Sequence, residues 1–225
     1  MKKDIQAYFG ILKGLFDKVI ATGKNRDRYK FEQAIEAAVG MIVRQSSSGG
    51  KLLFIGNGAS AAISSHMATD FWKNAGIKAL SFNDSSLLTC VSNDCGYAHV
   101  FEKPIEMFAQ TGDVLVAISS SGRSENIIKG ARLARLKGLK IITLSGFARD
   151  NPLRLSGDLN FYVPYSSYGH IELVHQAICH CLVDIILSKR TKGSINKVSN
   201  NMKSLSSKSE YRNPKQFSNF QSSNV

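Results

Sequence analysis

The chain is predicted to fold as an α/β domain, a three-layer αβα sandwich around a mainly parallel five-stranded sheet with an N-terminal helical extension. Short apolar runs rich in valine, isoleucine and leucine alternate with longer stretches of helical periodicity. The 225 residues, 43% apolar and 20% charged, can bury one sizeable core without a second globular domain. Strands separated by helices pair in parallel, so the turns that follow the strands are expected at one edge of the sheet.

Two helices are predicted over residues 1–48, followed by alternating strands and helices. Apolar residues recur at helical spacing from Ile5 to Ile20 and again from Phe31 to Ile42. Acidic residues interrupt both segments, so neither resembles a signal peptide, and no segment is expected to reach membrane-spanning length. A last helix is predicted over about 168–188, and the strands are predicted at about 51–56, 77–82, 113–119, 139–145 and 158–164.

The cysteines indicate a reducing compartment. No pair has the C-x-x-C spacing of a zinc ribbon or redox motif, and disulfide frameworks would require another arrangement; the four are Cys90, Cys95, Cys179 and Cys181. We therefore expect a cytoplasmic protein.

The C-terminal segment, residues 189–225, differs in composition from the rest of the chain. It holds eight lysine or arginine residues against one glutamate, in a background of serine and asparagine. Because it has few large apolar residues, it is expected to be a disordered extension, and the folded domain is expected to end near residue 188. Electrostatic contact with nucleic acid or another acidic surface is the less favoured alternative.

A serine-rich turn joins one apolar run to a helical stretch. Residues Ser119 to Ser124 follow the run that ends at Ile118 and precede the helix that starts at Glu125. Such a junction presents unpaired backbone N–H groups and the positive end of a helix dipole, which together hold a phosphoryl group. The serine hydroxyls add further donors, although a plain helix cap would use the same residues.

A second junction of this kind, Gly56-Asn57-Gly58-Ala59-Ser60, follows the run Leu52–Ile55. It is not a dinucleotide fingerprint, because Ala61 stands where that motif needs its third glycine, and no Gly-Lys-Ser/Thr of a Walker loop follows. Glycine lets the backbone approach a ligand closely. Two such turns at one sheet edge favour binding of one phosphorylated ligand over a pair of unrelated caps.

Four segments resemble the sugar isomerase (SIS) domain family and, within it, the phosphoheptose isomerases. They are GNGASAAISSHMATDF (56–71), VSNDCGY (91–97), GDVLVAISSSGRSENIIKGARLARLKGLKIITLSG (112–146) and IELVHQAICHCLVDII (171–186). The resemblance covers residues 1–188 and implies a flavodoxin-like SIS fold. It implies conversion of sedoheptulose 7-phosphate to D-glycero-D-manno-heptose 7-phosphate through an enediol, for heptose-containing surface polysaccharide such as lipopolysaccharide. It also implies a homotetramer with its sites between subunits.

Two pairs of residues carry candidate chemistry. His66 and Asp70 are four residues apart in a predicted helix and share one face of it, near enough to share a metal ion or a proton path, although such a pair is often an ordinary surface contact. Glu172 and His180 lie eight residues apart, which separates them by about 12 Å along an ideal helix and about 80° around it. For both to serve one site, either Glu172 enters from a non-helical turn or two subunits contribute.

The resemblance assigns roles to these residues. It implies zinc as cofactor, with ligands at His66, Asp70, Glu172 and His180, and it implies Asp70 and His180 as the acid/base pair. Asp70 stands where the family has glutamate, and Glu172 stands where the family has glutamine. Asn74 occupies a position where the resemblance leads us to expect arginine.

The resemblance also implies which residues bind the substrate. The phosphate is expected at Ser119, Ser121 and Ser124, and the sugar at Asn57, Ser60, Asp94, Ser120 and Glu172. Asp94 could instead cap a turn. His99, His170 and His175 are expected to be structural.

The alternative to an enzyme is a noncatalytic SIS-domain module that binds a phosphosugar or a protein partner, similar to the replication initiator-associating proteins. The departures at Asp70 and Glu172 favour it. The presence of His180 favours the isomerase, because the related noncatalytic proteins lack that histidine.

Overall fold

The computed structural model describes the backbone of residues 1–206 and the side chains of residues 1–190, and residues Met1–Leu187 form one compact unit. The helices are α1 (Lys2–Phe16), α2 (Phe31–Ser47), α3 (Ala59–Lys73), α4 (Ser85–Cys95), α5 (Glu102–Phe108), α6 (Glu125–Leu136) and α7 (Tyr168–Ser206). The strands are β1 (Ile20–Gly23), β2 (Arg28–Tyr29), β3 (Leu52–Gly56), β4 (Ala79–Ser81), β5 (Val114–Ser119), β6 (Lys140–Ser145) and β7 (Leu159–Tyr162). A short 3-10 turn, Tyr97–His99, follows α4.

Within the described residues, seven strands form one sheet in the order β2-β1-β7-β6-β5-β3-β4. The strands from β3 to β7 are mutually parallel, and they are the five that the sequence predicts. The α/β class and the mainly parallel sheet are therefore confirmed. The carboxyl ends of the five parallel strands share one edge of the sheet, where the two glycine- and serine-rich turns begin.

The predicted strand count of five is wrong, because the segment between α1 and α2 forms a two-stranded hairpin that joins the sheet. The helix α1 ends at Phe16, whereas the sequence analysis extended its apolar stripe to Ile20. Residues 20–23 form β1 instead, antiparallel to both β2 and β7. Pairing with the free edge of β7 satisfies the backbone of this short segment and overrides the helical pattern, since strand formation depends on neighbours more than on local periodicity.

Two layers of helices cover the sheet. On one face α2, α3 and α7 bury an apolar cluster that includes Ile42, Phe71 and Ile178. On the other face α5 and α6 pack on a smaller cluster that includes Ile105 and Ile127. Leucine, isoleucine and valine fill the parallel strands almost continuously, as expected for a sheet buried on both sides.

The last helix corrects two expectations. Its backbone continues to Ser206 rather than ending near residue 188, consistent with the absence of proline from this stretch of the sequence. The segment Tyr168–Arg190, with mean hydropathy 1.5, is also long and apolar enough to cross a membrane by length and composition. One such helix is weak evidence for a membrane span. Its apolar face is buried in the core through Ile171, Val174 and Ile178. The rest of the predicted disordered extension, residues 207–225, lies outside the described residues.

Candidate functional site

A cleft of about 230 Å³ opens where the two turns meet the start of α7. Seven of the eight predicted substrate-binding residues line it, namely Asn57, Ser60, Ser119, Ser120, Ser121, Ser124 and Glu172. Tyr168 completes one side. The tertiary structure therefore brings both predicted phosphate turns together on one small polar cavity.

The first turn depends on two glycines. A Cβ atom on Gly56 would lie 2.4 Å from the carbonyl oxygen of Ser60, so only glycine lets β3 reverse this tightly into α3. Gly58 has φ of +54°, which is strained for other residues. Helix α3 starts immediately afterwards, and the N–H groups of Ala59 and Ser60 belong to its first turn, which lacks carbonyl partners within the helix. These two donors border the cleft.

The serine turn is held by its own side chains. Gly122 N–H donates to Ser119 Oγ at 3.1 Å, and the hydroxyls of Ser119 and Ser124 lie 3.4 Å apart. Ser124 is the N-cap of α6, yet among the described residues its side chain accepts no capping hydrogen bond. Its hydroxyl therefore remains available to a ligand at the positive end of α6.

A reciprocal pair of amides joins the two turns. Asn57 Nδ2 donates to Asn126 Oδ1 and Asn126 Nδ2 donates to Asn57 Oδ1, each at 2.9 Å. The Tyr97 hydroxyl donates to Asn57 Oδ1 at 3.1 Å. Neither Asn126 nor Tyr97 was among the site residues predicted from the sequence. A polar residue on the buried face of the amphipathic helix α6 was the signal that could have identified Asn126.

Asp94 does not join the cleft. It lies exposed on α4, where Asn93 Nδ2 donates to its Oδ1 at 2.8 Å. Its charge raises the pKa of the neighbouring Cys90 thiol. Within the described residues its hydrogen bonds come from the side chains of Cys90 and Asn93 and none comes from a backbone N–H, so it does not cap a turn either; the N-cap of α4 is Asp84.

A second group of polar side chains lies farther along α3 and α7. Asp70 Oδ2 is 3.4 Å from His66 Nε2 and 3.8 Å from His180 Nδ1. Potential ligand atoms of these three residues all lie within 4.8 Å of one another. Asn74 Nδ2 donates to the other carboxylate oxygen, Asp70 Oδ1, at 3.2 Å.

Glu172 is the fourth predicted metal ligand, and it is not part of this group. It lies within helix α7, so the alternative in which it enters from a non-helical turn is wrong. Its side chain lines the polar cleft and also an adjoining cleft of about 520 Å³ that includes His66, bordered by α1, α3 and α7. Partial burial raises the pKa of the Glu172 carboxyl.

The polar cleft and the group around Asp70 occupy different levels of the same two helices. Ala59 lines the cleft, and Asp70 follows it by about 16 Å along α3 at 1.5 Å per residue. Glu172 and His180 are separated by about 12 Å along α7 in the same way. One chain therefore presents a cleft for a phosphate at one level and a carboxylate with two imidazoles at another.

The other histidines make structural contacts. His175 is fully buried, and its Nε2 lies 3.2 Å from the carbonyl oxygen of Ser145, to which it donates. Burial lowers the pKa of His175 to about 4. The His170 ring contacts Tyr8, with centroids 4.1 Å apart, and His99 lies 3.2 Å from Lys129 Nζ.

Comparison with known proteins gives consistent matches. Residues 18–146 match the model of the SIS domain family. The chain is 37% identical over 166 residues to a phosphoheptose isomerase of Photorhabdus laumondii subsp. laumondii, an alignment that covers 71% of this chain and 86% of that protein.

Solved structures agree with this match. A phosphoheptose isomerase from Neisseria gonorrhoeae superposes with a TM-score of 0.71 at 27% identity, covering 82% of this chain and 98% of the other. One from Francisella tularensis gives a TM-score of 0.71 at 28% identity, covering 82% and 96%.

Proposed function

We infer the function from one premise: the chain belongs to the SIS domain family, in its phosphoheptose isomerase branch. It is an isomerase that converts sedoheptulose 7-phosphate to D-glycero-D-manno-heptose 7-phosphate. The observation that carries this proposal is the convergence of both phosphate-type turns on one polar cleft, on the same two helices that hold Asp70 and His180. We place the protein in the cytoplasm, in the supply of heptose for surface polysaccharide.

The cleft suits the phosphate end of the substrate. The N-terminal turns of α3 and α6 direct backbone N–H groups and the positive ends of two helix dipoles toward it. The hydroxyls of Ser119, Ser121 and Ser124 add donors that rotate to fit phosphate oxygens. No lysine or arginine is required in the cleft, since the partial positive charges of the backbone N–H groups, the helix N-termini and the hydroxyls together balance the charge of the phosphate.

The group around Asp70 suits the proton transfers. Isomerisation of the ketose removes a proton from C1, returns one to C2 and moves a hydroxyl proton between the two adjacent oxygens. We assign the carbon-bound proton to the Asp70 carboxylate and the oxygen-bound protons to the His180 imidazole. Their 3.8 Å separation lets both groups act on neighbouring atoms of one enediol.

The separation of the two levels favours a site shared between two copies of the chain. The substrate measures on the order of 9 Å from its carbonyl carbon to phosphorus, given bonds of about 1.5 Å. That is shorter than the roughly 16 Å between the start of α3 and Asp70. We propose that the phosphate cleft of one subunit works with Asp70 and His180 of a neighbour, within a homotetramer.

Zinc fits the residues that are present. His66, Asp70 and His180 offer two imidazole nitrogens and a carboxylate oxygen within 4.8 Å, a donor set that zinc accepts. These three residues would hold the ion. When bound, it would act as a Lewis acid toward the oxygen that becomes negative in the enediolate. In the proposed assembly, Glu172 is available as a further carboxylate from another subunit.

The proposal is tested by turnover of the full chain with ketose phosphates of five to seven carbons, with and without added zinc. We expect turnover of sedoheptulose 7-phosphate and its loss in His180→Ala. Asp184→Asn is a matched control, because Asp184 is exposed on the same helix, one turn further on. Phosphosugar binding by a wild type that turns over none of these substrates would instead support a noncatalytic module.

A further inference from the structure

The orientation of the Asn57 amide is fixed by a chain of hydrogen bonds. Ile127 N–H donates to Asn126 Oδ1 at 2.9 Å, so that atom must be the oxygen. The reciprocal pair then places Asn57 Nδ2 opposite Asn126 Oδ1 and Asn57 Oδ1 opposite Asn126 Nδ2. Tyr97 accordingly donates its hydroxyl hydrogen to Asn57 Oδ1. A single backbone N–H thus determines the direction of two amides and one phenol.

This orientation limits what Asn57 can offer to a ligand. Its Oδ1 already accepts two hydrogen bonds, and one Nδ2 hydrogen is used by Asn126. The second Nδ2 hydrogen has no acceptor in the part of the chain that the structure describes. Since Asn57 lines the cleft and Asn126 is buried, Asn57 can present this donor to an acceptor such as a phosphate or hydroxyl oxygen.

We propose that Tyr97 and Asn126 are positioning residues for substrate binding: they hold Asn57 as a hydrogen-bond donor and keep the two phosphate turns at a fixed separation. Tyr97 belongs to the 3-10 turn after α4, whereas Asn126 lies in the first turn of α6. Three separate segments of the chain therefore meet at one amide. This inference rests on the proposed function, because it assigns these residues to the cleft that holds the phosphosugar.

The proposal makes an asymmetric prediction for the kinetics. The amide pair lies at the phosphate turns, whereas proton transfer is assigned to the carbonyl end of the substrate, about 9 Å from its phosphorus. Loss of the Tyr97 hydroxyl should therefore weaken substrate binding without slowing the conversion of bound substrate. A neutral hydrogen bond of this kind corresponds to a change of about three- to tenfold in affinity.

The test uses the full chain and two measurements: the Kd of inorganic phosphate by calorimetry, and kcat and KM for sedoheptulose 7-phosphate. In Tyr97→Phe both Kd and KM should rise about three- to tenfold, with kcat within about twofold. Asn126→Asp keeps the acceptor for Ile127 N–H but removes the donor to Asn57, and should weaken phosphate binding further. Tyr29→Phe, on the edge strand β2, should change neither quantity.

A double-mutant cycle separates positioning from general stabilisation. Once Asn57→Ala has removed the amide, adding Tyr97→Phe should cause no further loss of phosphate affinity. Equal losses from Tyr97→Phe with and without Asn57 would overturn the proposal, as would an unchanged Kd in Tyr97→Phe and Asn126→Asp. A wild type that binds phosphate without isomerising any ketose phosphate refutes the proposed function alone, whereas one that isomerises sedoheptulose 7-phosphate but binds no phosphate refutes this inference alone.

Discussion

The imidazole rings of His66 and His180 lie 5.2 Å apart between centroids, although the two residues belong to α3 and α7, which are far apart in the sequence. The Asp70 carboxylate approaches both through the same oxygen, Oδ2. Packing of α7 against α3 creates this arrangement, since the apolar residues that flank His180, such as Ile178 and Leu182, are buried in the same cluster as Met67 of α3. The proposed acid/base group is thus a product of helix packing.

Removal of either proton-transfer group should abolish most of the activity. We expect Asp70→Asn and His180→Ala each to lower kcat by at least about 100-fold, because general acid/base catalysis contributes that much or more. Kd for inorganic phosphate should stay within about twofold, since these residues lie away from the phosphate turns. A kcat within tenfold of the wild type in both variants would contradict the assignment.

Asn74 should orient the Asp70 carboxylate for proton transfer. Its Nδ2 donates to Asp70 Oδ1, and the other oxygen, Oδ2, faces His66 and His180. Asn74→Ala should lower kcat by about three- to tenfold with KM nearly unchanged, because the contact is a single hydrogen bond. Asn74→Gln should recover part of the loss, since glutamine also reaches a carboxylate one helical turn away. Trp72→Phe, exposed on the same helix, serves as a control, and equal kcat values for Asn74→Ala and the wild type would refute this role.

A comparison of alanine variants of Ser124 and Asp84 should distinguish a ligand-binding hydroxyl from a helix cap. Ser124→Ala removes a hydroxyl that makes no capping bond among the described residues, so the Tm should hardly change while the Kd for phosphate rises several-fold. Asp84→Ala removes two capping bonds on α4 and should cost about 1 kcal/mol of stability with no change in phosphate affinity. The opposite pattern, with Ser124→Ala lowering the Tm and sparing affinity, would identify Ser124 as a plain cap.

The buried His175 should make the fold sensitive to acid. Burial lowers its pKa from 6.5 to about 4 in the folded protein. The unfolded chain therefore binds a proton first as the pH falls, so stability is highest above pH 6.5 and decreases toward pH 4. The contribution reaches about 3 kcal/mol at most.

Urea unfolding between pH 4 and 7.5 measures this effect as the difference between the wild type and His175→Gln. The free energy of unfolding should fall less with acid in the variant, whatever its absolute stability. Asp184→Asn should keep the slope of the wild type. Parallel pH profiles for the wild type and His175→Gln would exclude His175 as the source.

Local sequence patterns were sufficient to predict much of the sheet and the two glycine- and serine-rich turns. The five parallel strands are apolar runs bounded by turns, and β5 in particular is buried at every position. Because helices connect these strands through right-handed crossovers, the strands run parallel, and Asn57 and Ser119 lie at the same carboxyl edge of the sheet. The hairpin β1–β2 could not be predicted in this way, because the apolar residues near Ile20 also fit a helix, and β7, the partner that joins the hairpin to the sheet, lies far along the chain.

The amino-acid sequence by itself determined the fold class, the two glycine- and serine-rich turns and the membership of the SIS family, because glycines, serines and apolar periodicity act over a few residues. Only the tertiary structure decided that His180 meets the helical pair His66 and Asp70, that Glu172 does not belong to this group, that Asp94 lies outside the cleft, and that Asn126 and Tyr97 orient Asn57. These contacts join residues distant in the chain. Their geometry depends on how α3, α6 and α7 pack on the sheet, which no local pattern specifies.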